Sequence, residues 1–320
     1  MHEFELINKY FSKLANRSNG SLNLNDDVFF DKNNKLVVSV DTYVEGNHFF
    51  NFKNPELVIK KIIRSSVSDL ICKGVKPKFY FLSGSGNRKA FTKTNLSKIS
   101  KSLKEEQKKY NIILGGGDTV KSNKLSFTVT SIGFSKKIIY RNRSKVNDDI
   151  YVTGNIGDSF IGLMVLKSKI KINRKLSTYF VNQYYKPEIK YSLTDYLNKF
   201  ATSTIDLSDG LITDLEKLTN KQKNCYRLFF DKIPVSKNLN AVLNQKNLLK
   251  KNVISNGDDY QVLFTSNIKN RKFIKKISSI KKIKITRIGR ILNSRHKSSI
   301  IDKNGRQIKI NDKGYTHTFY

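Results

Sequence analysis

The chain has few cysteines and no long apolar run. Its two cysteines, Cys72 and Cys225, are too few for a disulfide framework and lack zinc-binding spacing, so we expect small buried side chains. No apolar stretch approaches the length of a bilayer span. The first residues, MHEFELINKYF, include acidic side chains where a secretory signal is basic and then strongly apolar. These absences favour a soluble, intracellular protein without a membrane partner.

Several catalytic signatures are also absent. The chain contains no GxxxxGK[ST] phosphate loop, and its GNIGDS stretch falls short of the dinucleotide-binding glycine fingerprint. It has no GxSxG nucleophile motif and no cysteine-centred signature, so covalent catalysis lacks support. Its four histidines include no pair at metal-ligand spacing, which disfavours zinc. P-loop kinases and dinucleotide-dependent dehydrogenases are therefore both disfavoured.

Acidic residues are scarce beside basic ones. The chain has 26 Asp and Glu against 60 Lys and Arg, which gives a formal net charge of +34. The basic residues are spread along the whole chain, without a basic tail or a nucleic-acid-binding module, so nucleic acid is not the expected partner. Such a surface still attracts anionic metabolites toward a cleft.

The length and the hydrophobic pattern indicate two α/β-type domains. A chain of 320 residues with 38% hydrophobic residues can form two cores. Apolar periodicity and turn residues predict the following elements. Strands are expected at 35–44, 111–114, 124–134, 149–154, 226–231, 259–265 and 284–292, helices at 54–74, 94–110, 160–168, 187–200 and after 211, and a hairpin turn at Asn304-Gly305. The Lys-, Arg- and Asn-rich segment 136–149 marks the expected boundary, with domains at 1–140 and 141–320.

The scarce carboxylates gather at the ends of these elements. They occur in five short stretches that contain Asp26 and Asp27, Asp41, Asp69, Asp118, and Asp206 with Asp209. Each one alone has a structural explanation, because Asp is a favoured helix cap and turn residue. If the ends converge, like charges meet at a cost that a hard divalent cation such as Mg²⁺ removes. The glycines of GGGDT, residues 115–119, permit close backbone approach to a ligand. The pattern favours nucleotide chemistry with Mg²⁺.

Eight motifs in register resemble those of thiamine-monophosphate kinases. In chain order they are EFELINKYF, VDTYVEGNHF, SDLICKGVKP, GGDT, IYVTGNIGDS, IDLSDGL, GDDYQVLFT and KGYTHTF, and they extend from Glu3 to Phe319. The resemblance implies the two-domain fold of the aminoimidazole ribonucleotide synthetase-like superfamily. It implies an N-terminal α/β domain that dimerises through a shared β-barrel, and a C-terminal α+β domain that closes the active-site cleft.

The resemblance also implies an activity. It is the phosphorylation of thiamine monophosphate to thiamine diphosphate by ATP in the cytoplasm, through direct in-line transfer assisted by several Mg²⁺ ions and without a protein nucleophile. The metal positions it implies are Asp27, Ser39, Val40 (by its backbone), Asp41, Asp69, Asp118, Asp206 and Asp209. The ATP positions are Gly117, Asp118, Arg141 and Ser208, and the substrate positions are His48, Asp258 and Tyr315.

Three departures from the family pattern bear on these positions. Asn25 replaces the usual glycine before the first acidic pair, and Val40 replaces a frequent threonine. The usual GEDYE reads GDDYQ, which shortens the side chain at Asp258 and removes a charge at Gln261. Two alternatives stay open: another ATP-using enzyme of the same superfamily, and a non-catalytic basic binding protein.

Overall fold

The structure is a computed structural model that describes residues 2–219, 222–311 and 314–315. Of the terminal motif KGYTHTF, only Gly314 and Tyr315 lie within the described residues. None of the described helices is long and apolar enough to cross a bilayer.

The first half of the chain forms a mixed six-stranded sheet. Its strands, in chain order, are β1 (Phe29–Asp31), β2 (Leu36–Val44), β3 (Pro77–Gly86), β4 (Ile113–Gly116), β5 (Thr119–Lys121) and β6 (Ser126–Phe134). The spatial order is β1-β2-β6-β3-β4, and β5 pairs with β3. The described part of the chain closes neither this sheet nor the second one into a barrel.

Among the described residues, helices α3 and α4 cover one face of this sheet and supply its core. The helices of this half are α1 (Glu3–Leu6), α2 (Ser12–Ala15), α3 (Pro55–Cys72) and α4 (Lys93–Tyr110). Strand β6 alternates between buried and partly exposed residues, as a strand with one covered face should. The predicted helix 54–74 is confirmed as α3, with Pro55 in its first turn and Gly74 at φ +75° just beyond its end.

The second half forms another six-stranded sheet, in the order β12-β9-β11-β7-β10-β8. Its strands are β7 (Asp149–Thr153), β8 (Ala201–Asp206), β9 (Cys225–Phe229), β10 (Val262–Ser266), β11 (Ile285–Leu292) and β12 (Ser299–Ile301). Its helices are α5 (Asp158–Leu166), α6 (Arg174–Tyr185), α7 (Thr194–Phe200), α8 (Leu211–Thr219), α9 (Lys237–Gln245), α10 (Lys250–Ile254) and α11 (Arg271–Lys281). The predicted turn at Asn304-Gly305 is confirmed, and Gly305 has φ +80°.

One helix prediction is partly wrong, and several helices were not predicted, namely α1, α2, α6, α9, α10 and α11. Residues 187–190 are not helical, and α7 begins only at Thr194, after a single 3₁₀ turn. The preceding helix, α6, was not predicted, although it buries Phe180, Tyr184 and Tyr185. The last two join the core of the first half. Helix α3 contacts strands of both sheets, so it connects the two halves at the site described next.

Candidate active site

A cleft of about 650 Å³ gathers most of the predicted residues. Both halves of the chain line it. The predicted residues among its lining are Asp27, Val40, Asp41, His48, Asp69, Arg141, Asp206, Ser208, Asp209, Asp258 and Tyr315. Ser39 is buried next to this group, whereas Gly117 and Asp118 lie outside the lining.

Three carboxylates form the centre of the cleft. Asp27 lies in the turn before β1, Asp69 in the last turn of α3, and Asp206 at the end of β8. One oxygen from each lies within 4.8 Å of the others. The sequence positions of these residues are far apart, so convergence of element ends, as the sequence analysis expects, creates the cluster.

Strand β2 adds Asp41 and Ser39 beside the three carboxylates. The Ser39 hydroxyl donates a hydrogen bond of 2.7 Å to Asp69 Oδ2 and lies 3.4 Å from Asp41 Oδ2. Because side chains alternate across a strand, the intervening Val40 points the other way and is 61% exposed. Its side chain therefore points away from the cluster, and only its backbone faces it. A threonine hydroxyl at this position would not reach the carboxylates either.

In the described part of the chain, Asp41, Asp69 and Asp206 bring negative charge together without direct positive partners. Burial, followed by the neighbouring charge of Asp206, raises the pKa of Asp41 to about 7. Burial also raises the pKa of Asp69, with the charge of Asp41 next, and burial raises the pKa of Asp206. Within the described residues, the carboxylates of Asp41, Asp69 and Asp206 form no ion pair with a Lys or Arg side chain. Oxygen ligands with an unmet negative charge suit Mg²⁺.

Asp27, by contrast, already has cationic partners. The Arg141 guanidinium pairs with both oxygens of Asp27, and its backbone N–H donates to Asp26 Oδ2 over 3.0 Å. The Lys73 ammonium lies 2.8 Å from Asp27 Oδ2. Arg141 therefore lies in the cleft, where the resemblance expects it, with a carboxylate as its partner. The sequence analysis missed Lys73, although its place one turn after Asp69 in SDLICKG was a usable signal.

The IDLSDGL stretch forms a tight turn between β8 and α8. Asp214, which was not predicted, accepts hydrogen bonds from the backbone N–H groups of Asp209 (3.0 Å) and Gly210 (3.1 Å). The Asp209 carboxylate forms an ion pair with Lys217. Gly210 has φ +125°, and a Cβ there would lie 2.0 Å from the Ser255 carbonyl oxygen. Glycine is therefore required, and it keeps Asp206 and Asp209 at the cleft.

A second loop is fastened to that turn. The backbone N–H groups of Asp258 and Tyr260 donate to the carbonyls of Ser208 and Leu207, each over 2.8 Å. Both donors have positive φ, +69° and +48°. Backbone strain of this kind is common at functional sites. IDLSDGL and GDDYQ are thus one structural unit.

The two departures in GDDYQ have different consequences. Asp258 lines the cleft, and its Oδ1 lies 2.6 Å from the buried Lys61 ammonium and 3.2 Å from the Tyr260 hydroxyl. Gln261 is buried, and its Oε1 accepts from the Thr153 hydroxyl over 2.9 Å. Gln261 does not line the cleft. The lost charge at Gln261 therefore affects the packing of β7, whereas the shorter Asp258 changes the cleft itself.

Aromatic and imidazole groups line the same cleft as Asp258. His48 Nδ1 accepts from the Val44 backbone N–H over 3.0 Å, which puts the ring proton on Nε2. The Tyr43 ring meets it edge-on at 6.1 Å between centroids. Tyr315, half-exposed, is tied to the acidic turn by a 3.0 Å hydrogen bond from its backbone N–H to the Asp209 carbonyl. An aromatic cation with an anionic group fits these neighbours.

Gly117 and Asp118 lie elsewhere. They connect β4 to β5 on the exposed far side of β3, and two strands, β6 and β3, separate β5 from the β2 strand of Asp41. A Cβ on Gly117 would lie 1.8 Å from the Leu82 carbonyl oxygen, so packing on β3 already requires this glycine. The structure does not bring Asp118 to the other carboxylates within one chain.

Comparisons with known proteins identify the family. The N-terminal domain of AIR synthase related proteins matches residues 25–135. The thiamine-monophosphate kinase of Buchnera aphidicola from Acyrthosiphon pisum is 35% identical over 98% of both chains. The chain belongs to the thiamine-monophosphate kinase family.

Solved structures agree on the fold. The complex described as AaThiL with AMPPCP and TMP has a TM-score of 0.84 and 24% identity, covering 99% of this chain and 97% of that one. The HypE–HypF complex, with a TM-score of 0.75 and 15% identity over 94% of this chain and 98% of that chain, shows the same fold in a hydrogenase maturation protein. The chain therefore has the aminoimidazole ribonucleotide synthetase-like α/β fold that the sequence predicts, the shared β-barrel stays a prediction, and the fold alone does not select the substrate.

Proposed function

We propose that this protein transfers the γ-phosphoryl group of ATP to thiamine monophosphate and forms thiamine diphosphate and ADP. One observation carries the proposal: a single cleft is lined both by an acidic cluster from the two halves of the chain and by Asp258 with aromatic and imidazole side chains. Full-length relatives at 35% and 32% identity are thiamine-monophosphate kinases. The phosphate of thiamine monophosphate attacks the γ-phosphorus in line, and the bond to the β-phosphate oxygen breaks.

The acidic cluster is the proposed place for Mg²⁺. Its donors are all oxygens, and burial, followed for Asp41 and Asp69 by the charge of neighbouring carboxylates, raises the pKa values of Asp41, Asp69 and Asp206. The proposed ligands are Asp27, Ser39, the backbone of Val40, Asp41, Asp69, Asp118, Asp206 and Asp209. When bound, Mg²⁺ supplies positive charge that lets two anionic phosphates approach each other.

The side chains around the cluster position the two substrates. Arg141 and Ser208 line the cleft beside the carboxylates and are the proposed contacts of ATP phosphates. His48, Asp258 and Tyr315 line its other part and are the proposed contacts of thiamine monophosphate. No side chain has to form a covalent bond, because the chain only orients the reacting phosphates and excludes water from them.

A homodimer is part of the proposal, because the uncovered face of the first sheet is apolar. Register places Phe29, Val38, Ile132, Phe79 and Ile113 in one row across five strands. Val40 (61% exposed) and Phe81 (39% exposed) form part of the next row. A continuous apolar face of this size favours a protein partner. A second copy of the face would complete the shared β-barrel implied by the resemblance.

The dimer would also account for the position of Asp118. Gly115 and Gly116 lie against the Phe81 ring, so the glycine run adjoins the apolar face rather than the cleft. We propose that Gly117 and Asp118 reach ATP in the cleft of the partner chain. The domain division at 1–140 and 141–320 completes the proposal, and the two sheets lie on either side of that boundary.

The same fold occurs in a hydrogenase maturation protein, so another ATP-using enzyme of the superfamily is the first alternative, and the net charge of +34 leaves a basic binding protein as the second. Purified protein with ATP, Mg²⁺ and thiamine monophosphate should form thiamine diphosphate, detected by chromatography, and chelation of Mg²⁺ should abolish it. Folded protein that forms no product would refute the proposed activity. ATP turnover with a different phosphorylated acceptor would support the first alternative, and salt-sensitive retention on nucleic acid without turnover the second. We propose the cytoplasm as its location, since ATP and Mg²⁺ are available there.

A further inference from the structure

Lys73 is a fully buried lysine beneath the acidic cluster. It follows the last residue of α3, and its side chain is 0% exposed. The ammonium lies 2.6 Å from Asp26 Oδ1 and 2.8 Å from Asp27 Oδ2, and it donates to the Thr204 carbonyl over 2.9 Å. An ammonium group has three donors, and these three acceptors satisfy them.

These contacts link the elements that carry the cluster. Asp69 is on α3, one turn before Lys73, and Asp27 is in the turn that Lys73 pairs with. Thr204 is on β8, two residues before Asp206. One side chain thus connects the three segments whose carboxylate oxygens converge within 4.8 Å.

The charge of Lys73 also matches its surroundings. Burial works against a charged lysine, but two carboxylates lie within 2.8 Å of this ammonium and pair with it. The end of a helix favours a cation, and this one offsets the carboxylate of Asp69 in the same turn. Removing this cation would leave the buried Asp26 without its ion-pair partner and Asp27 with Arg141 alone, and an unpaired buried carboxylate is strongly unfavourable.

Resting on the proposed metal site, we propose that Lys73 is a positioning residue that acts as a permanent internal cation. It keeps Asp26 and Asp27 paired and in place before any metal binds. It thereby makes the folded state less dependent on free Mg²⁺ and leaves Asp41, Asp69 and Asp206 as the carboxylates that require the metal.

The consequence of losing this cation follows from linkage. Without Lys73, the cluster carries more unpaired charge, so a divalent cation that binds there removes a larger penalty. Ligands stabilise a protein according to their affinity for the folded state. The variant should therefore be less stable without metal and gain more from Mg²⁺ than the wild type.

The test compares Lys73→Met with the wild type by thermal unfolding in EDTA and across a Mg²⁺ titration, with calorimetry for Mg²⁺ affinity. In EDTA the variant should unfold at a lower temperature. Saturating Mg²⁺ should raise its Tm by about 5 °C more than it raises that of the wild type, and half-saturation should need several-fold less Mg²⁺. Lys190→Met is the matched control, because Lys190 is also buried and, among the described residues, its ion pair is with the exposed Glu188.

Two more variants separate charge from packing. Lys73→Arg keeps the cation and should keep the Mg²⁺ dependence of the wild type. If Lys73→Met is too unstable to purify, the double variant Asp26→Asn/Lys73→Met removes an unpaired carboxylate and should recover stability in EDTA. An Mg²⁺-induced rise in Tm that is the same in Lys73→Met, Lys190→Met and the wild type would overturn the inference. A wild type that does not bind Mg²⁺ would overturn the proposed metal site itself, and the inference with it.

Discussion

The Lys61 ammonium lies 2.6 Å from Asp258 Oδ1 and 3.9 Å from the centroid of the Tyr184 ring. Lys61 is on α3 in the first half of the chain, and Asp258 precedes β10 in the second. Burial lowers the pKa of Lys61, and Asp258 opposes that effect. The pair therefore fixes one oxygen of a carboxylate that lines the cleft.

Lys61→Met should weaken binding of thiamine monophosphate. Asp258 would lose its partner and its orientation, so we expect the KM for thiamine monophosphate to rise about tenfold while the KM for ATP changes less than about twofold. Lys60→Met is the control, because Lys60 pairs with the exposed Glu105 on the surface. Steady-state kinetics with each substrate varied will check this. A fall in kcat with both KM values unchanged would contradict the positioning of Asp258.

Mixed dimers should show whether Asp118 acts in the cleft of the partner. Asp41→Asn and Asp118→Asn should each lower kcat at least about 100-fold. Each substitution removes a proposed ligand of the Mg²⁺ that would stabilise the charge of the transition state. A heterodimer of the two variants would contain one site with both substitutions and one intact site. Tandem-tag purification of that heterodimer should recover about half of the wild-type activity. An inactive heterodimer would show that both residues act in the same chain.

Stability without metal should fall as the pH rises. The folded-state pKa of Asp41 is about 7, above its unfolded value, so the folded protein binds more protons than the unfolded chain at intermediate pH. Asp214, also with a pKa of about 7, acts in the same direction. Their stabilisation is complete below the unfolded pKa and is lost as the pH approaches 7. Denaturant unfolding in EDTA between about pH 5 and pH 8 will measure the loss.

Mg²⁺ should reduce this pH dependence, because the metal favours ionised carboxylates. Asp41→Asn should reduce it as well, in EDTA, because the substituted side chain does not titrate. A pH profile in EDTA that is flat, or that rises with pH, would contradict the assignment of unpaired charge to this cluster.

Phe81→Asp should dissociate the proposed dimer. The substitution puts a charge into the centre of the uncovered apolar face, where Phe81 is 39% exposed. Light scattering after size-exclusion chromatography should show a monomer with wild-type circular dichroism. Leu96→Asp is the control, since Leu96 is 48% exposed on α4, on the opposite side of the sheet. Equal effects of the two variants, or a monomeric wild type, would refute the proposed interface.

Local patterns were enough to predict much of the fold. Pro55 and the apolar spacing of α3, the β-branched run of β2, and the alternation of β6 each depend on neighbours within one element. Helix α6 was missed, and 187–190 was wrongly predicted as helical. The error at 187–190 arose because Pro187 was read as the start of a helix, whereas residues 187–190 are not helical and α7 begins only at Thr194.

The amino-acid sequence by itself determined which residues carry charge and that the carboxylates occur at the ends of elements. Only the tertiary structure decided which ends meet: Asp27, Asp69 and Asp206 converge, and Asp118 lies away from them. It also supplied the buried partners Lys61 and Lys73. The physical reason is that strand order and helix packing are set by contacts between distant segments. A pattern within one segment determines its own buried face, but not the charge that will lie opposite it.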